Sequence, residues 1–284
     1  MMQLLVTGAN GQVGSELRAL ANSHPSITWH FTDHSELDIT QEAAVQQYFK
    51  QHAFDYCINC AAYTAVDKAE SEAEKAAAIN VEGVRNLAQA CYQTGTRLLH
   101  LSTDYVYHSA QNTPFEEGAP TGPQSVYGNT KLAGELAAIA AQPETLIVRT
   151  SWVYSSFGHN FVKTMLRLGK EREKLSVVFD QIGSPTYARD LALVLLEIIS
   201  QKKEIFRGIY HYSNEGVCSW YDFAHAIFEL NELTCQLSPI ETKEYPTPAQ
   251  RPPFSLLNKN KIKADFGIAI PHWRDSLKAC LELL

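Results

Sequence analysis

The stretch LLVTGANGQVGSEL, residues 4–17, decides the fold. A short apolar run has the length of a buried strand, and Gly8, Gly11 and Gly14 then follow at three-residue spacing before an amphipathic segment begins. Glycines permit a tight turn and let the backbone approach a pyrophosphate, while the helix that follows offers free N–H groups and the positive end of its dipole. The stretch therefore predicts a strand, a dinucleotide-binding loop and a helix.

The first half of the chain repeats this alternation of strand and helix. Strands are predicted at residues 3–7, 27–32, 56–60, 97–103 and 145–150, and helices near residues 12–21, 41–52, 68–94 and 126–141. Such alternation implies right-handed crossovers and a parallel sheet covered on both faces. We expect an α/β protein with a Rossmann-like, doubly wound parallel sheet, and a dinucleotide-binding domain over residues 1–150.

The second half, residues 151–284, is less regular and is expected to form a smaller, mixed, mainly substrate-binding region, with some segments returning to the Rossmann domain. The predicted helices are 159–170, 188–200 and 219–230, and the predicted strands are 175–179 and 208–213. The proline-rich segment 244–255 cannot form a regular element, because proline removes a backbone donor and fixes φ. A loop of this length in a compact domain is usually functional or disordered.

Composition excludes several classes of protein. The 284 residues are 45% hydrophobic and carry a net charge of −7 without a basic block, which argues against nucleic-acid binding. No apolar run approaches the roughly 20 residues of a membrane span, and the first residues do not resemble a targeting signal. The six cysteines, including Cys57 and Cys60, form no disulfide or metal-site pattern. We expect a cytoplasmic protein with reduced thiols and no membrane partner.

Two acidic residues follow the second strand. Asp33 lies 19 residues after Gly14, where a carboxylate can meet the adenosine ribose of a bound dinucleotide. Asp38 is placed where a carboxylate and the neighbouring Ile39 could hold the adenine. Either aspartate could instead cap the helix that begins near residue 41.

The segment SVYGNTKLAGE, residues 125–135, puts Tyr127 and Lys131 one helical turn apart on the same face. A nearby cation lowers the pKa of a phenol from its ordinary value of about 10, which favours acid–base chemistry near neutral pH. An isolated pair of this kind is more often part of a solvated helix face. Here, however, Ser102 and Thr103 end the fourth strand at the carboxyl edge of the sheet, where doubly wound folds bind ligands. We interpret the hydroxyl, the tyrosine and the lysine as a site that holds and protonates a carbonyl oxygen.

These motifs resemble those of the extended short-chain dehydrogenase/reductases. More narrowly, the chain is similar over nearly its whole length to the family of dTDP-4-dehydrorhamnose reductases. The resemblance rests on several segments in order: GANGQVG, SELDIT, NCAAYTAVDKAE, LSTDYVY, YGNTKLAGE, VRTSWVY, NFV, QIGSPT and RPPFSLLN. It implies NAD(P)H-dependent reduction of the C4 ketone of dTDP-4-dehydro-L-rhamnose to dTDP-L-rhamnose, with a nucleotide sugar as the small-molecule partner.

The resemblance also implies a role for individual residues. Tyr127 would donate the proton, Lys131 would orient the nicotinamide ribose and lower the pKa of the tyrosine, and Thr103 would polarise the C4 carbonyl. The residues implied in cofactor binding, with those proposed above, are Gly8, Gly11, Gln12, Val13, Gly14, Asp33, Asp38, Ile39, Ala62, Tyr63, Thr64, Tyr127 and Lys131. The residues implied in substrate binding are Thr103, Asp104, Trp152, Asn160, Gln181 and Arg251.

Three properties stay open at this point. Related sequences often have Arg where this chain has His34, and a neutral imidazole is a poorer partner for a 2′-phosphate, so the cofactor is NADH or NADPH. Some family members are described as magnesium-linked dimers, but no carboxylate cluster in the sequence identifies a metal site. The protein is therefore expected to be a monomer or a homodimer, with Mg²⁺ allowed but assigned to no residue.

Two alternative functions are kept. Other nucleotide-sugar enzymes of the superfamily act as dehydratases or epimerases. A 4,6-dehydratase needs an Asp-Glu pair after the threonine, whereas Asp104 is followed here by Tyr105, and sequence cannot show whether an epimerase-like enzyme retains its cofactor. The second alternative is a non-catalytic subunit, because the family resembles the regulatory subunit of methionine adenosyltransferase. The presence of Thr103, Tyr127 and Lys131 together favours a catalyst.

Overall fold

The computed structural model describes all 284 residues. The strands are β1 Met2–Thr7, β2 Ile27–Thr32, β3 Tyr56–Asn59, β4 Arg97–Thr103, β5 Leu146–Thr150, β6 Val153–Tyr154, β7 Lys174–Val178, β8 Ile182–Gly183, β9 Thr186–Tyr187, β10 Gly208–Tyr212, β11 Cys218–Ser219 and β12 Gln236–Ile240. The helices are α1 Gln12–Leu20, α2 Glu42–Gln51, α3 Val66–Ala69, α4 Ala73–Ala77, α5 Val84–Thr94, α6 Val126–Ala141, α7 Phe161–Glu171, α8 Ala188–Ser200, α9 Trp220–Leu230, α10 Asn260–Phe266 and α11 Trp273–Leu281.

The centre of the molecule is a six-stranded sheet in the order β10-β5-β4-β3-β1-β2. Every neighbouring pair is parallel, as the alternation of strands and helices predicts. The strand order reverses between β1 and β3, since β2 lies on one side of β1 and β3 lies on the other. In open α/β sheets the ligand-binding crevice lies at such a reversal, beyond the carboxyl ends of the strands.

Helices cover both faces of this sheet. Residues of β1 alternate between the two faces: Leu4 and Val6 belong to the core under α1 and α8, while Leu5 belongs to the core under α2, α5 and α6. All three side chains are fully buried. The fold is therefore the predicted Rossmann-like, doubly wound α/β fold, and the five strands predicted in the first half are all present.

The long predicted helix at 68–94 is divided into shorter pieces. It consists of α3, α4, a π-helical turn at Ala78–Gly83 and α5. In the π turn, Asn80 turns its side chain inward to bond the backbone of Tyr63 and the hydroxyl of Thr130 on α6. A Cβ at Gly134 would collide with the Asn80 carbonyl, so the close approach of α6 to this turn requires glycine at 134. π turns of this kind are frequent at functional sites.

Residues after Thr150 serve two purposes. β10 pairs with β5 and α8 packs beside α1, so these segments complete the central sheet and its cover. A second core forms around α7, α9 and α11, and it contains Tyr154, Phe223 and Trp273 among its buried side chains. The parallel pair of β7 and β12 lies next to α9.

The proline-rich segment 244–255 contains no regular helix or strand beyond a 3₁₀ turn that ends at Glu244. Backbone hydrogen bonds nevertheless fix its end, because Ile182 N–H donates to the Pro253 carbonyl at 2.9 Å and Ser255 N–H donates to the Ile182 carbonyl at 2.8 Å. The loop therefore lies against β8 and brings Ser255 into the interior.

Candidate functional site

The carboxyl ends of β1, β3, β4 and β5 open into one cavity of about 720 Å³. Most of the residues that the sequence singles out line it: Gly8, Gly11, Gln12, Val13, Asp33, Asp38, Ile39, Ala62, Thr64, Thr103, Asp104, Tyr127, Lys131 and Trp152. A cavity of this size accommodates a ligand of several hundred daltons. The positions that sequence reasoning assigned to a cofactor and to a carbonyl substrate thus meet in one place.

The glycine loop fits a diphosphate. Gly8 has φ of +65°, and a Cβ there would lie 2.5 Å from the Ala61 nitrogen, so only glycine suits the turn. Gly11 is the N-cap of α1, and no side chain caps the first turn of that helix. The free N–H groups and the positive dipole end therefore face the cavity at the loop, as a dinucleotide requires.

Neither Asp33 nor Asp38 caps α2. The N-cap of that helix is Gln41, which makes no side-chain cap bond, so the alternative of a capping aspartate is wrong for both residues. Asp38 accepts bonds from the N–H and hydroxyl of Thr40 at 3.0 and 2.8 Å. Hydrogen bonding with the side chain of Glu36 and with Ser35 lowers the pKa of Asp33 to about 2, so Asp33 faces the cavity as an anion.

The wall beyond Asp38 is apolar and rigid. Ile39 is buried, and its carbonyl accepts a bond from Asn86 Nδ2 at 3.0 Å. Its side chain lies against Gly83 so closely that a Cβ at Gly83 would be 2.6 Å from Ile39 Cγ1. Ile39 therefore presents a fixed apolar side chain to the cavity.

Tyr127 and Lys131 both reach the cavity from α6. Ser125 caps this helix by accepting a bond from Gly128 N–H at 3.1 Å, which fixes the turn that carries Tyr127. The Lys131 ammonium donates to the Leu101 carbonyl at 2.7 Å. Burial lowers the pKa of Lys131 to about 8, and the negative charge of Glu135 opposes that shift.

The expectation that Lys131 lowers the pKa of Tyr127 is wrong for this structure. Burial raises the pKa of Tyr127 to about 12, hydrogen bonding by Thr103 opposes the rise, and the charge of Asp104 adds to it. The Lys131 ammonium is directed instead at the Leu101 carbonyl and lies near Glu135. A raised pKa keeps the phenol protonated at neutral pH, which is the state that a proton donor needs.

Thr103 and Asp104 end β4 beside Tyr127. The Thr103 hydroxyl donates to Asp104 Oδ1 at 3.1 Å and accepts from Tyr105 N–H at 3.2 Å. Burial raises the pKa of Asp104 to about 6, while hydrogen bonds from Ser255 and Thr103 oppose that rise. Ser255 is a neighbour of the site that sequence reasoning missed, because only the course of the proline-rich loop brings it there.

Trp152 forms an aromatic wall with a residue that the sequence did not identify. It stacks on Trp220 with ring centroids 3.7 Å apart, and both rings line the cavity. Trp152 has φ of +49°, an uncommon conformation for a bulky side chain that occurs mainly at functional sites. Trp220 lies at the start of α9, and nothing in the local sequence distinguishes it from a core aromatic residue.

Five predicted residues do not line the cavity. Gly14 packs behind the glycine loop, and the Tyr63 hydroxyl donates to Glu72 at 2.9 Å. Asn160 caps α7 and donates to Gln12 Oε1 at 3.0 Å, so it supports the loop from behind. Gln181 donates to Thr242 at 3.1 Å. The fifth is Arg251. Direct ligand contact by these side chains remains a prediction.

Arg251 is held at the side of the site by an acidic partner. Its two Nη atoms donate to Asp67 Oδ1 and Oδ2 at 3.1 and 2.8 Å, the bidentate geometry typical of Arg and carboxylate. Tyr105 lines the cavity, and the positive charge of the nearby Arg251 acts to lower the pKa of Tyr105. The guanidinium is therefore oriented near the cavity rather than mobile in solvent.

A buried ion pair supports the end of β4 that lies at the cavity. Glu135 and Arg149 are almost fully buried and are 2.5 Å apart, and Ser102 and Tyr107 complete their hydrogen bonds. Sequence reasoning assigned no role to this pair. One signal was present, because Arg149 interrupts the apolar strand TLIVRT, and a charge inside a buried strand requires a partner.

The rest of the chain adds three observations. All six cysteines are free. Cys57 and Cys60 belong to opposite faces of the sheet, because Cys57 is buried beneath α5 while Cys60 packs against the core under α1 and α8 and lines the cavity. No group of three or more His, Cys, Asp or Glu side chains is arranged to hold a metal ion. None of the helices has both the length and the apolar character needed to cross a membrane.

Comparison with known proteins gives one consistent result. The family model described as RmlD substrate binding domain matches residues 2–284. A dTDP-4-dehydrorhamnose reductase of Sinorhizobium fredii is 42% identical over 285 residues, which cover 98% of this chain and 96% of the relative. A crystal structure of a dTDP-4-dehydrorhamnose reductase from Clostridium acetobutylicum is similar with a TM-score of 0.95, 42% identity and 99% coverage of both chains. The corresponding structure from Bacillus anthracis, in complex with NADP, has a TM-score of 0.95, 39% identity and full coverage of both chains.

Proposed function

The chain belongs to the RmlD substrate binding domain family, and from this premise we propose that it catalyses the NAD(P)H-dependent reduction of the C4 ketone of dTDP-4-dehydro-L-rhamnose to dTDP-L-rhamnose. One observation carries the proposal. Thr103, Tyr127 and Lys131 converge in the same cavity as the uncapped start of α1. A carbonyl group, a proton donor and a dinucleotide diphosphate can therefore be held side by side.

The residues of the chain have distinct tasks in this reaction. When bound, NAD(P)H supplies the hydride. The hydroxyls of Thr103 and Tyr127 donate hydrogen bonds to the C4 oxygen and polarise the carbonyl, and Tyr127 then gives its proton to the oxygen. Lys131 presents a positive charge beside the place of the nicotinamide ribose, and Asp104 and Trp152 hold the hexose.

The two regions of the chain bind different ligands in this proposal. Residues 1–150 hold the dinucleotide through the glycine loop and the segment of Ala62, Tyr63 and Thr64, and residues 151–284 mainly hold the nucleotide sugar. The stacked pair of Trp152 and Trp220 supports this division, because residues 151–284 supply both rings and both rings line the cavity.

The test is an assay of the purified protein with a panel of dTDP-, UDP- and GDP-4-keto sugars and each reduced cofactor. We expect the absorbance of reduced nicotinamide to fall with the dTDP substrate, and NMR of the product to show an alcohol at C4. A protein that binds NAD(P)H but oxidises none with any substrate would instead be a non-catalytic subunit. Return of an isomerised ketone without net oxidation of the cofactor would identify an epimerase.

The cofactor preference follows from the anion at the ribose end of the cavity. Asp33 accepts a ribose hydroxyl but repels a 2′-phosphate, and the exposed His34 lacks the guanidinium fork that suits a phosphate. We expect NADH to be used at least comparably to NADPH. The measurement is kcat/KM for the two cofactors, and a preference for NADPH of more than about 100-fold would contradict this assignment.

A matched pair of variants isolates the effect of Asp33. Asp33→Asn removes the charge and keeps the shape, so kcat/KM for NADPH should rise several-fold relative to NADH. Asp275→Asn, which removes an exposed carboxylate from the first turn of α11, should leave the ratio unchanged. If both variants changed the ratio equally, net charge alone would explain the effect.

Arg251 is proposed to anchor the diphosphate of the nucleotide sugar. Arg251→Lys keeps the charge but loses the planar fork, so KM for the nucleotide sugar should rise about tenfold, equivalent to about 1.4 kcal/mol, while Kd for NAD(P)H stays constant. Because Asp67 accepts from both Nη atoms of Arg251, Asp67→Asn should lower KM by removing the opposing charge and one of the two acceptors.

Arg274 provides the control for this prediction. It pairs with Glu229 at 3.0 Å in an exposed position on α11, and Arg274→Lys makes the same chemical change away from the cavity. Its KM should equal that of the unchanged protein. A wild-type KM in Arg251→Lys would refute the anchor, and a loss of cofactor affinity would place Arg251 at the other ligand.

We further propose that the enzyme works in the cytoplasm as a monomer or homodimer. The six free cysteines, five of them buried, suit a reducing compartment. Sedimentation of the purified protein with and without added Mg²⁺ would determine the oligomeric state and whether the ion changes it.

A further inference from the structure

The backbone of Trp152 is fixed on both sides in an uncommon conformation. Its φ of +49° lies in the left-handed region, which is rare for a bulky residue. The Ser151 hydroxyl donates to the Ser184 carbonyl at 2.8 Å, and the Trp152 carbonyl accepts from Thr186 N–H at 3.2 Å. Backbone strain persists only where the surrounding structure overdetermines it. These bonds therefore hold the Trp152 indole at the place where it lines the cavity.

Gly183 leaves the space that the Trp152 ring needs. A Cβ at Gly183 would lie 2.9 Å from both Cε2 and Cζ2 of Trp152 and 3.0 Å from Ser255 Oγ. The φ of Gly183 is not positive, so glycine is required here by the closeness of the indole and not by the backbone conformation. This contact gives the glycine of the segment QIGSPT a role that the sequence alone does not indicate.

Trp220 is brought to the same ring by a short pair of strands. β8, which contains Gly183, pairs antiparallel with β11, and α9 begins directly after β11. A capping box between Ser219 and Asp222 fixes the first turn of α9, which carries Trp220. The Trp220 ring stacks on Trp152 with centroids 3.7 Å apart and an angle of 11° between the ring planes.

The stacked pair is an apolar surface inside the cavity. Phe161 packs against Trp220 with ring centroids 4.7 Å apart, so Trp220 is itself supported by the second core. The C–H groups of a hexose pack on an aromatic ring because its face is apolar and carries partial negative charge. A displacement of the Trp152 ring should therefore weaken the contact with the sugar.

We propose that Gly183 and Trp220 are positioning residues for the sugar. Together they set the place of the Trp152 ring, and through that ring they set the affinity for the hexose but not for the nucleotide or the cofactor. This inference rests on the proposed reductase function, and it assigns to two further residues a role in sugar recognition.

The experiment compares two ligands, dTDP-L-rhamnose and dTDP, which lacks the sugar, by calorimetric titration. Trp220→Leu removes the stacked ring and keeps an apolar side chain, and Gly183→Ala places a methyl group against Trp152. Each should weaken binding of dTDP-L-rhamnose by about tenfold, the size of one aromatic contact, and leave Kd for dTDP and for NAD(P)H unchanged. Trp220→Phe keeps an aromatic face and should recover most of the lost affinity.

A second readout needs no ligand. The protein contains four tryptophans, so labelling with 5-fluorotryptophan gives a simple ¹⁹F NMR spectrum in which Trp152→Phe identifies the Trp152 signal. The ring current of Trp220 should shift this signal, and Trp220→Leu should abolish the shift. Gly183→Ala should also move the Trp152 signal, while the Trp29 signal stays in place.

Trp29→Leu is the matched control. Trp29 stacks on Phe31 with ring centroids 5.3 Å apart, outside the cavity, so its replacement should leave the affinity for dTDP-L-rhamnose unchanged. An unchanged Kd for NAD(P)H verifies that each variant is folded, and Gly183→Ala decides the question if Trp220→Leu does not bind cofactor.

The outcomes separate the positioning role from the proposed function. If the folded variants weaken dTDP and dTDP-L-rhamnose equally, or weaken neither, the positioning role is overturned. The same follows if Trp220→Phe retains the ring-current shift but binds dTDP-L-rhamnose as poorly as Trp220→Leu. If the unchanged protein binds dTDP-L-rhamnose no more tightly than dTDP, the proposed function fails, while the ¹⁹F spectrum still reports the stack.

Discussion

Tyr127→Phe is expected to lower kcat by about 10²- to 10⁴-fold, the usual contribution of a positioned general acid. The variant loses only the hydroxyl that we propose protonates the C4 oxygen. The ring keeps its edge-to-face contact with Tyr105, with centroids 5.4 Å apart, so the cavity wall should remain in place. Kd for NAD(P)H, measured by fluorescence titration, should therefore be unchanged.

Tyr154→Phe is the matched control for this prediction. Tyr154 is also a buried tyrosine, but it lies outside the cavity and its hydroxyl has no hydrogen-bond partner. Removing that hydroxyl leaves no other group unsatisfied, so activity should be retained and stability should not decrease. Turnover near the wild-type rate in Tyr127→Phe would remove Tyr127 from the mechanism.

Glu135→Gln is expected to cost about 3–5 kcal/mol of unfolding free energy, because it leaves the buried Arg149 guanidinium without its counter-charge. Both side chains are almost fully buried, so water cannot replace the lost partner. The measurement is urea denaturation of the variant and the unchanged protein. Because β4 ends at Thr103 and Ser102 bonds to Glu135, the end of the strand that lines the cavity should also lose order.

An exposed pair offers the comparison for this second prediction. Glu144 and Arg207 are 3.3 Å apart with half or more of each side chain exposed. Glu144→Gln should therefore change stability by at most about 1 kcal/mol. A similarly small change in Glu135→Gln would show that Arg149 finds another partner. Combining Glu135→Gln with Arg149→Met should recover part of the loss, since the unpaired charge is then removed.

The sequence predicts the sheet well because its inner strands are buried on both faces. Short, mainly apolar runs between helical segments are typical of such strands, and β1 to β5 end within one residue of their predicted ends. The π turn within the predicted helix 68–94 could not be seen in the same way. It depends on the contacts of Asn80 with Tyr63 and Thr130, which lie far apart along the chain.

The residues of the site also fall into a group that the sequence could predict and a group that it could not. Residues at strand ends, such as Gly8 and Thr103, could be placed because parallel strands all end at one edge. Trp220 and Ser255 could not, since long connections carry them to the cavity. The pKa of Tyr127 was predicted in the wrong direction because spacing on a helix shows which side chains are neighbours, but not where an ammonium group points or how deeply a phenol is buried.

The position of β10 has a consequence for how the chain is made. Strand β5 is at the edge of the sheet until residues 208–212 pair with it, and more than fifty residues separate the two strands along the chain. During synthesis, a nascent chain that has left the ribosome only as far as α7 therefore presents an open row of backbone donors and acceptors, a template for aggregation. The sheet that begins with residues 2–7 therefore acquires its final edge strand only after residues 208–212 have been translated.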